Sequence, residues 1–402
     1  MKKKYLFLLV FSIFLASCSV EKENSTILTP STFVSLDVAK KFATDLVNPN
    51  SSKNNGVGSE LTINNLKSIK KVVSVPDENG LTVYYIITYS EGGFIILSAD
   101  KKLDPVLAFS EVGDFSLDTK SIPSGLVYWL ATTKETVKNI RKDNSSRTKA
   151  WDLEETKKAI GFDSNAKSNS RMSYIDPGDG GCSDYVTVVG PLTSTTWDQG
   201  CGYNDYLNLS CNNTNQVCSS GGACGNPFTG CIATAMAQIM KNKQKPSSFS
   251  WSNMPLSYGT STTAALMKDI GCKVNMSYGC SGSSATMEDA KYAFVNYYGY
   301  SSATLANYNY NVVQSQLNSG HPVMLSGGTN TGWWIFGSYT NGHAWVCDGY
   351  RESFYCETGT TYLFLNMNWG WGGTDNGYYG FNNFNPGSYT FNDSRKMIYN
   401  LY

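Results

Sequence analysis

The sequence predicts an α+β protein built in two parts, and three observations predict it. Strand-like runs at 72–73, 81–89, 94–97 and 106–109 are enclosed by two amphipathic helical patterns. A polar, basic stretch over 142–171 then interrupts the chain. Beyond it, helical patterns at 232–240, 263–270, 287–298 and 312–317 precede strands that begin near 321, 343 and 362.

The composition narrows the function classes. The 402 residues carry 32 basic and 32 acidic side chains, so no net charge argues for nucleic acid or an anionic membrane surface as partner. Only 16% of residues are charged while 13% are aromatic, a balance that suits an exported protein. Eleven cysteines are easier to place in an oxidising compartment than in the cytosol. There are two histidines, His321 and His343, so any imidazole chemistry has two candidates.

Taken in order, the chain opens with Lys2, Lys3 and Lys4 before a short apolar run, the pattern of a signal peptide rather than a spanning helix. Leu15-Ala16-Ser17-Cys18 resembles a bacterial lipobox, which makes Cys18 the expected lipidated residue and the outer membrane or cell surface the expected location. A polar tether follows. Ala39, Phe42, Ala43 and Leu46 then describe one amphipathic helix, and 48–60 a loop. Glu91-Gly92-Gly93 turns between two strands, and Leu126, Trp129, Leu130, Val137 and Ile140 mark a second helix. The stretch 141–181, polar and basic at 142–149 and 165–171, reads as a solvated linker with one helical piece at 151–160, the kind of segment that proteases cut.

The second half is organised around Cys231. Ile232, Ala235, Met236, Ile239 and Met240 give the following helix one apolar face, and the Phe228-Thr229-Gly230 turn sets the thiol in its first turn. Free N–H groups and the helix dipole there favour a thiolate. Upstream, Gln199 sits in the glycine-bracketed loop Trp197-Asp198-Gln199-Gly200-Cys201-Gly202. Gly271 is expected to stop the helix at 263–270. A long loop over 327–342 contains Trp333, Trp334 and Phe336 and ends at Gly342-His343-Ala344, where His343 opens a strand. The last strand runs into Asn368-Trp369-Gly370-Trp371-Gly372-Gly373.

Gln, Cys, His and Asn in that order are what a papain-type thiol protease needs. The thiolate attacks, the imidazole pairs with it, a third group orients the imidazole, and an amide donates to the oxyanion. Asn368 follows Cys231 by 137 residues, inside the range of about 130–150 expected for that architecture.

On these motifs the second half resembles the streptopain family of papain-like bacterial cysteine proteases. Asp198-Gln199-Gly200, Thr229-Gly230-Cys231, Ala237-Gln238-Ile239-Met240-Lys241, Gly342-His343-Ala344 and Asn368-Trp369-Gly370-Trp371-Gly372-Gly373 carry the likeness. Gly93-Phe94-Ile95-Ile96-Leu97-Ser98-Ala99-Asp100-Lys101 resembles that family's propeptide. With the lipoprotein-type leader at 1–17, the resemblance implies a tether and inhibitory propeptide domain at 18–165 ending in the basic linker, and a two-lobed papain-like catalytic domain at 172–402. It implies Cys231 as nucleophile, His343 as acid and base, Gln199 as oxyanion donor, and Asn368 with Trp369 orienting and shielding His343. Ser284 and Gly342 are expected to line the substrate cleft. Protein or peptide substrates and the chain's own propeptide are the implied partners, with a membrane reached through Cys18; no cofactor or metal is called for.

Cysteine content departs from that family. Apart from Cys18 and Cys231, nine remain, an odd number, and Cys201 to Cys224 resembles a disulfide-knotted insertion. Cys272–Cys280 and Cys347–Cys356 are candidate local bridges, with the connectivity left open by sequence. His321 is expected to be a strand-start residue without a role in chemistry. The competing readings are a catalytically silent surface lipoprotein that binds peptide or glycan in the same cleft, and a transpeptidase or amidase using the same thioester. An intact Cys231, His343 and Gln199 set argues against a silent module.

Overall fold

The computed structural model describes residues 29–48, 67–115, 124–142, 151–160, 184–207, 225–279, 282–330, 339–355, 360–380 and 395–402. The leader, Cys18, most of the basic linker, the loop with Trp333, Trp334 and Phe336, and Cys182, Cys211, Cys218, Cys224, Cys280 and Cys356 lie outside the described residues.

The first half contains α1 (Leu36–Val47), the strands β1 (Ile69–Pro76), β2 (Thr82–Tyr89), β3 (Phe94–Ser98) and β4 (Val106–Ser110), and α2 (Ser124–Lys142). Ser35 caps α1 by accepting from the Val38 N–H, and Ala39, Ala43 and Leu46 form its buried stripe. The four strands form an antiparallel meander, with β3 and β4 buried on both faces. Next comes α3 (Leu153–Ile160). It is no solvated piece of linker: Ala159 and Ile160 are buried, and Trp151 packs on Phe42 at 5.1 Å. The Ala159 carbonyl accepts from Arg351 and Ser353 of the second half.

The second half supplies β5 (Tyr185–Val189), α4 (Cys231–Lys243), α5 (Ser261–Lys273), α6 (Met287–Asn296), β6 (Thr304–Asn307) and α7 (Tyr310–Asn318). It closes with β7 (Val323–Asn330), β8 (Tyr339–Tyr355), β9 (Thr360–Asn368), β10 (Gly377–Gly380) and β11 (Lys396–Tyr399). Gly271 does not stop α5, which continues through it. A side chain there would collide with the Tyr278 hydroxyl, 1.8 Å from an added Cβ, so this glycine serves close packing rather than termination.

All of these strands join one antiparallel sheet, ordered β1-β2-β3-β4-β10-β9-β8-β7-β11-β6, with β5 on β8. The first half therefore continues into the second through β4 and β10, where Ala108 faces Tyr379 and Phe109 faces Tyr378. The core follows this continuity. Leu126 and Leu130 of α2, and Phe94 of β3, share a cluster with Trp345, Trp369 and Tyr379. On β8, Ala344 and Val346 alternate with Trp345 and Cys347 between two clusters, as the period of a strand requires. The Ala344 side meets α4, α5 and α6, which form the helical lobe.

Candidate active site

The nucleophile candidate is set by a turn and a helix. Gly230, at φ 92°, precedes α4, and Cys231 is the first helical residue. Thr234 donates back to the Gly230 carbonyl at 3.3 Å, closing the first turn. The loop around Ser283 supports the turn from below: its hydroxyl donates to the Phe228 carbonyl at 2.7 Å.

Part of Cys231 reaches the surface, yet its sulfur is enclosed enough that burial pushes the thiol pKa up. Backbone N–H groups of Ala344, Ile232 and Cys231 itself pull the other way and do not prevail. The thiolate expected from the helix start alone is thus not favoured here. Desolvation outweighs the donors.

His343 lies within β8 rather than at its opening. It is buried, and burial lowers its pKa to about 4, partly offset by the carbonyl of Trp369. The Nε2 nitrogen stands 2.9 Å from that carbonyl oxygen. A carbonyl only accepts, so Nε2 carries the proton and Nδ1 is left as the basic nitrogen. The ring stacks on Trp345 at 6.3 Å and meets the edge of Trp371 at 6.4 Å. Trp371 in turn stacks on Phe228, three residues before Cys231. Among the described residues no hydrogen bond joins the Cys231 sulfur to the His343 ring; the nearest link is the Ala344 N–H, one residue along.

Asn368 departs from its expected task. Its side-chain amide donates to the Thr195 carbonyl at 2.6 Å and its oxygen accepts from the Gly370 N–H at 3.2 Å. The group facing His343 is instead the backbone carbonyl of Trp369, whose own ring is held by Asp375 and packed on Trp345 at 5.0 Å. The turn can fold this way because Gly370 adopts φ +73°, with α4 so close that an added Cβ would stand 3.0 Å from Thr234.

Gln199 is buried beside the nucleophile turn, its carbonyl accepting from Thr229 N–H at 3.0 Å. Gly342 and Ser284 are exposed, and an added Cβ on Gly342 meets nothing within 4 Å. Ser284 pairs through its backbone with Ser277. His321 takes no place near this site; it contacts Lys243 and Tyr402 instead. Sequence reasoning assigned no role to Thr195 or to Gln238 of α4, which together link that helix to the Asn368 turn. The signal available was the polar Gln238 within an otherwise apolar stretch of α4.

Cys272 and Cys347 are free thiols, while Cys280 and Cys356, their candidate partners, lie outside the described residues. Cys347 points into the core of the sheet, where it packs as a small apolar side chain. Cys201 is disulfide-bonded.

Residues 197–379 match the Peptidase C10 family, and residues 31–137 match the Spi protease inhibitor family. The chain is 25% identical over 344 residues to the thiol protease/hemagglutinin PrtT of Porphyromonas gingivalis, covering 74% of this chain and 33% of that protein. It is 22% identical over 328 residues to streptopain of Streptococcus pyogenes, covering 75% and 74%. It thus spans a third of the length of one relative and about three quarters of the other. Its fold is similar to that of a fragment of Prevotella intermedia prointerpain A, with TM-score 0.53, 24% identity, and coverage of 83% of this chain and 98% of that one.

Proposed function

We propose that this chain, a streptopain-like cysteine protease of the Peptidase C10 family with an inhibitor-like first half, is an exported endopeptidase that cuts peptide bonds through a thioester on Cys231. The observation that carries the reading is the meeting of two elements. The sulfur at the start of α4 faces the Ala344 N–H of β8, and the adjacent His343 is fixed in one tautomer by the Trp369 carbonyl.

In this reading His343 Nδ1 takes the thiol proton as the sulfur attacks the scissile carbonyl. The oxyanion is met by the Cys231 N–H and the Gln199 amide. The C–N bond then breaks, the imidazolium proton goes to the leaving amine, and water releases the acyl group by the reverse sequence. Gly342 and Ser284 border the open side where an extended peptide would lie. The unengaged Cys231 and His343 suit a latent precursor whose first half continues the catalytic sheet. Lys2 to Lys4 and Leu15-Ala16-Ser17-Cys18 support export and a lipid anchor on Cys18, which removal of the first half would detach.

The test expresses residues 19–402 beside Cys231→Ala and follows mass, labelling by a thiol-directed epoxide, and casein digestion. The parent is expected to shorten by roughly the first half, label at Cys231 and digest casein, while the variant does none of these. A parent that stays inert to epoxide and casein, even after an added protease removes the first half, would overturn the peptidase reading in favour of a silent binding module.

A further inference from the structure

Segment 195–199 runs between α4 and the turn after β9 and is bonded to both. On one side, Gln238 of α4 accepts from the Thr195 hydroxyl at 3.0 Å and from the Trp197 N–H at 3.3 Å. On the other, the Thr195 carbonyl accepts from Asn368 at 2.6 Å, and the Trp197 carbonyl accepts from the Gly372 N–H at 3.2 Å. Asn368 then holds the Gly370 N–H, which fixes the Trp369–Gly370 peptide whose carbonyl faces His343. Two residues beyond Trp197 the same segment delivers Gln199.

Gln238 itself is completely buried, two helical turns along from Cys231, on a stretch of α4 that is otherwise nearly all apolar. Among the described residues its Nε2 has no hydrogen-bond partner, although it is buried. An amide in such a place costs stability unless its bonds serve a purpose. The side-chain bonds it does make all go to one segment, and that segment is bonded to α4, to the Thr229 turn before Cys231 and to the turn after β9.

We propose that Gln238, with Thr195, is a positioning residue. The pair sets the distance between the nucleophile helix, the oxyanion amide of Gln199 and the Trp369 carbonyl that orients His343. This inference rests on the cysteine-protease reading of the site. The helix and the strand otherwise meet across apolar contacts, which are non-directional and tolerate small slips. Two hydrogen bonds to one amide oxygen give the contact a direction. A slip of about 1 Å at such a junction costs on the order of a hundredfold in rate without changing any group that touches substrate.

The test compares Gln238→Met, Thr195→Val and Gln238→Glu with the parent, each matured from the full chain. Turnover and KM on labelled casein are measured, together with the pH dependence of Cys231 alkylation by iodoacetamide. Gln238→Met and Thr195→Val are expected to lower kcat by about tenfold to a hundredfold with KM within about threefold, and to raise the alkylation midpoint. Gln238→Glu keeps the accepting oxygen and is expected to regain about tenfold of the loss. A folded Gln238→Met with kcat within about threefold of the parent, or with an unmoved alkylation midpoint, overturns the inference. If Gln238→Met does not fold, Thr195→Val, which removes a single bond at constant shape, decides by the same criteria. If the parent itself is inert on casein, the peptidase reading has failed, and the alkylation midpoint alone then decides whether Gln238 positions the thiol.

Discussion

Trp129 of the first half lies edge-on to Tyr379 of the second, their ring centroids 5.1 Å apart at 78°, and its indole N–H donates to the Gly380 carbonyl at 3.3 Å. Tyr379 meets Trp369 at 5.2 Å, Trp369 meets Trp345 at 5.0 Å, and Trp345 stacks with His343. A continuous run of aromatic contacts thus joins α2 to the histidine, beside the strand pairing of β4 with β10.

Trp129→Ala removes the outer member of that run. In a precursor held inactive by Cys231→Ala, it is expected to lower unfolding free energy by about 3 kcal/mol, the usual range for losing a large packed aromatic ring. In the Cys231 parent, the same change is expected to speed maturation, because the first half is held less tightly. Urea unfolding and a maturation time course check both. A change under about 0.5 kcal/mol with unaltered maturation would show that Trp129 is not a fastening point.

Much of this arrangement was legible from residues. The apolar stripe of α1, the hairpin at Gly92-Gly93 and the face of α4 all carry periodic signals, and Gln199, Cys231 and His343 stand in the expected order. Four-residue strands carry almost no such signal. Thus β10, the strand that fuses the two parts, was not foreseen, and neither were β6 and β11. Pairing of Ala108 with Tyr379 is a tertiary choice that no local pattern announces. That the Trp369 carbonyl, and not the Asn368 side chain, faces His343 depends on a left-handed Gly370, which sequence marks only as a glycine. The thiol state at Cys231 failed for a plainer reason: the helix start was visible, but the burial that overrides it was not.

Acid should weaken the precursor through His343. Its folded pKa, lowered to about 4 chiefly by burial, lies below the ordinary 6.5. Between these values the unfolded chain binds a proton that the folded chain does not, so stability falls as pH drops from 6.5 toward 4, by about 3 kcal/mol. Asp348 runs the other way: burial pushes it up to about 7, against donation from Thr193, so its contribution falls as pH rises through that range. The pH profile of one protein therefore mixes the two. In the Cys231→Ala precursor, adding His343→Gln is expected to remove the acid-side loss while leaving the Asp348 slope in place. Identical profiles with and without His343→Gln, measured by urea unfolding from pH 4 to 7, would contradict the buried neutral imidazole.

Thiol labelling separates the free cysteines. Cys272 is exposed at the end of α5, while Cys347 is buried beneath the sheet. Native precursor treated with a maleimide is expected to label at Cys272 within minutes and at Cys347 only after denaturation, read by peptide mass. Recovery of Cys272 or Cys347 in a disulfide-linked peptide from unreduced protein would restore the local bridges.

Arg141 ends α2 as a buried fastener of the first half. Its Nε donates to Asp100 at 3.2 Å, one terminal nitrogen donates to the Thr82 and Ala99 carbonyls, and the other stands 3.8 Å from Asp77. The side chains of Arg141 and Asp100 are 7% and 0% exposed, so neither charge is well solvated if left alone. Arg141→Met keeps the length and removes the charge. In the Cys231→Ala precursor it is expected to cost about 3–5 kcal/mol, most of it from the Asp100 and Asp77 carboxylates left behind. Arg141→Met with Asp100→Asn should recover part of that loss, since only Asp77, whose other oxygen accepts from the Asn79 and Leu81 N–H groups, then lacks its cation. Lys102, whose N–H donates to the second Asp100 oxygen, still has an acceptor in the Asn variant. A double variant no more stable than Arg141→Met alone would mean that the two backbone carbonyls, rather than Asp100, are what Arg141 serves.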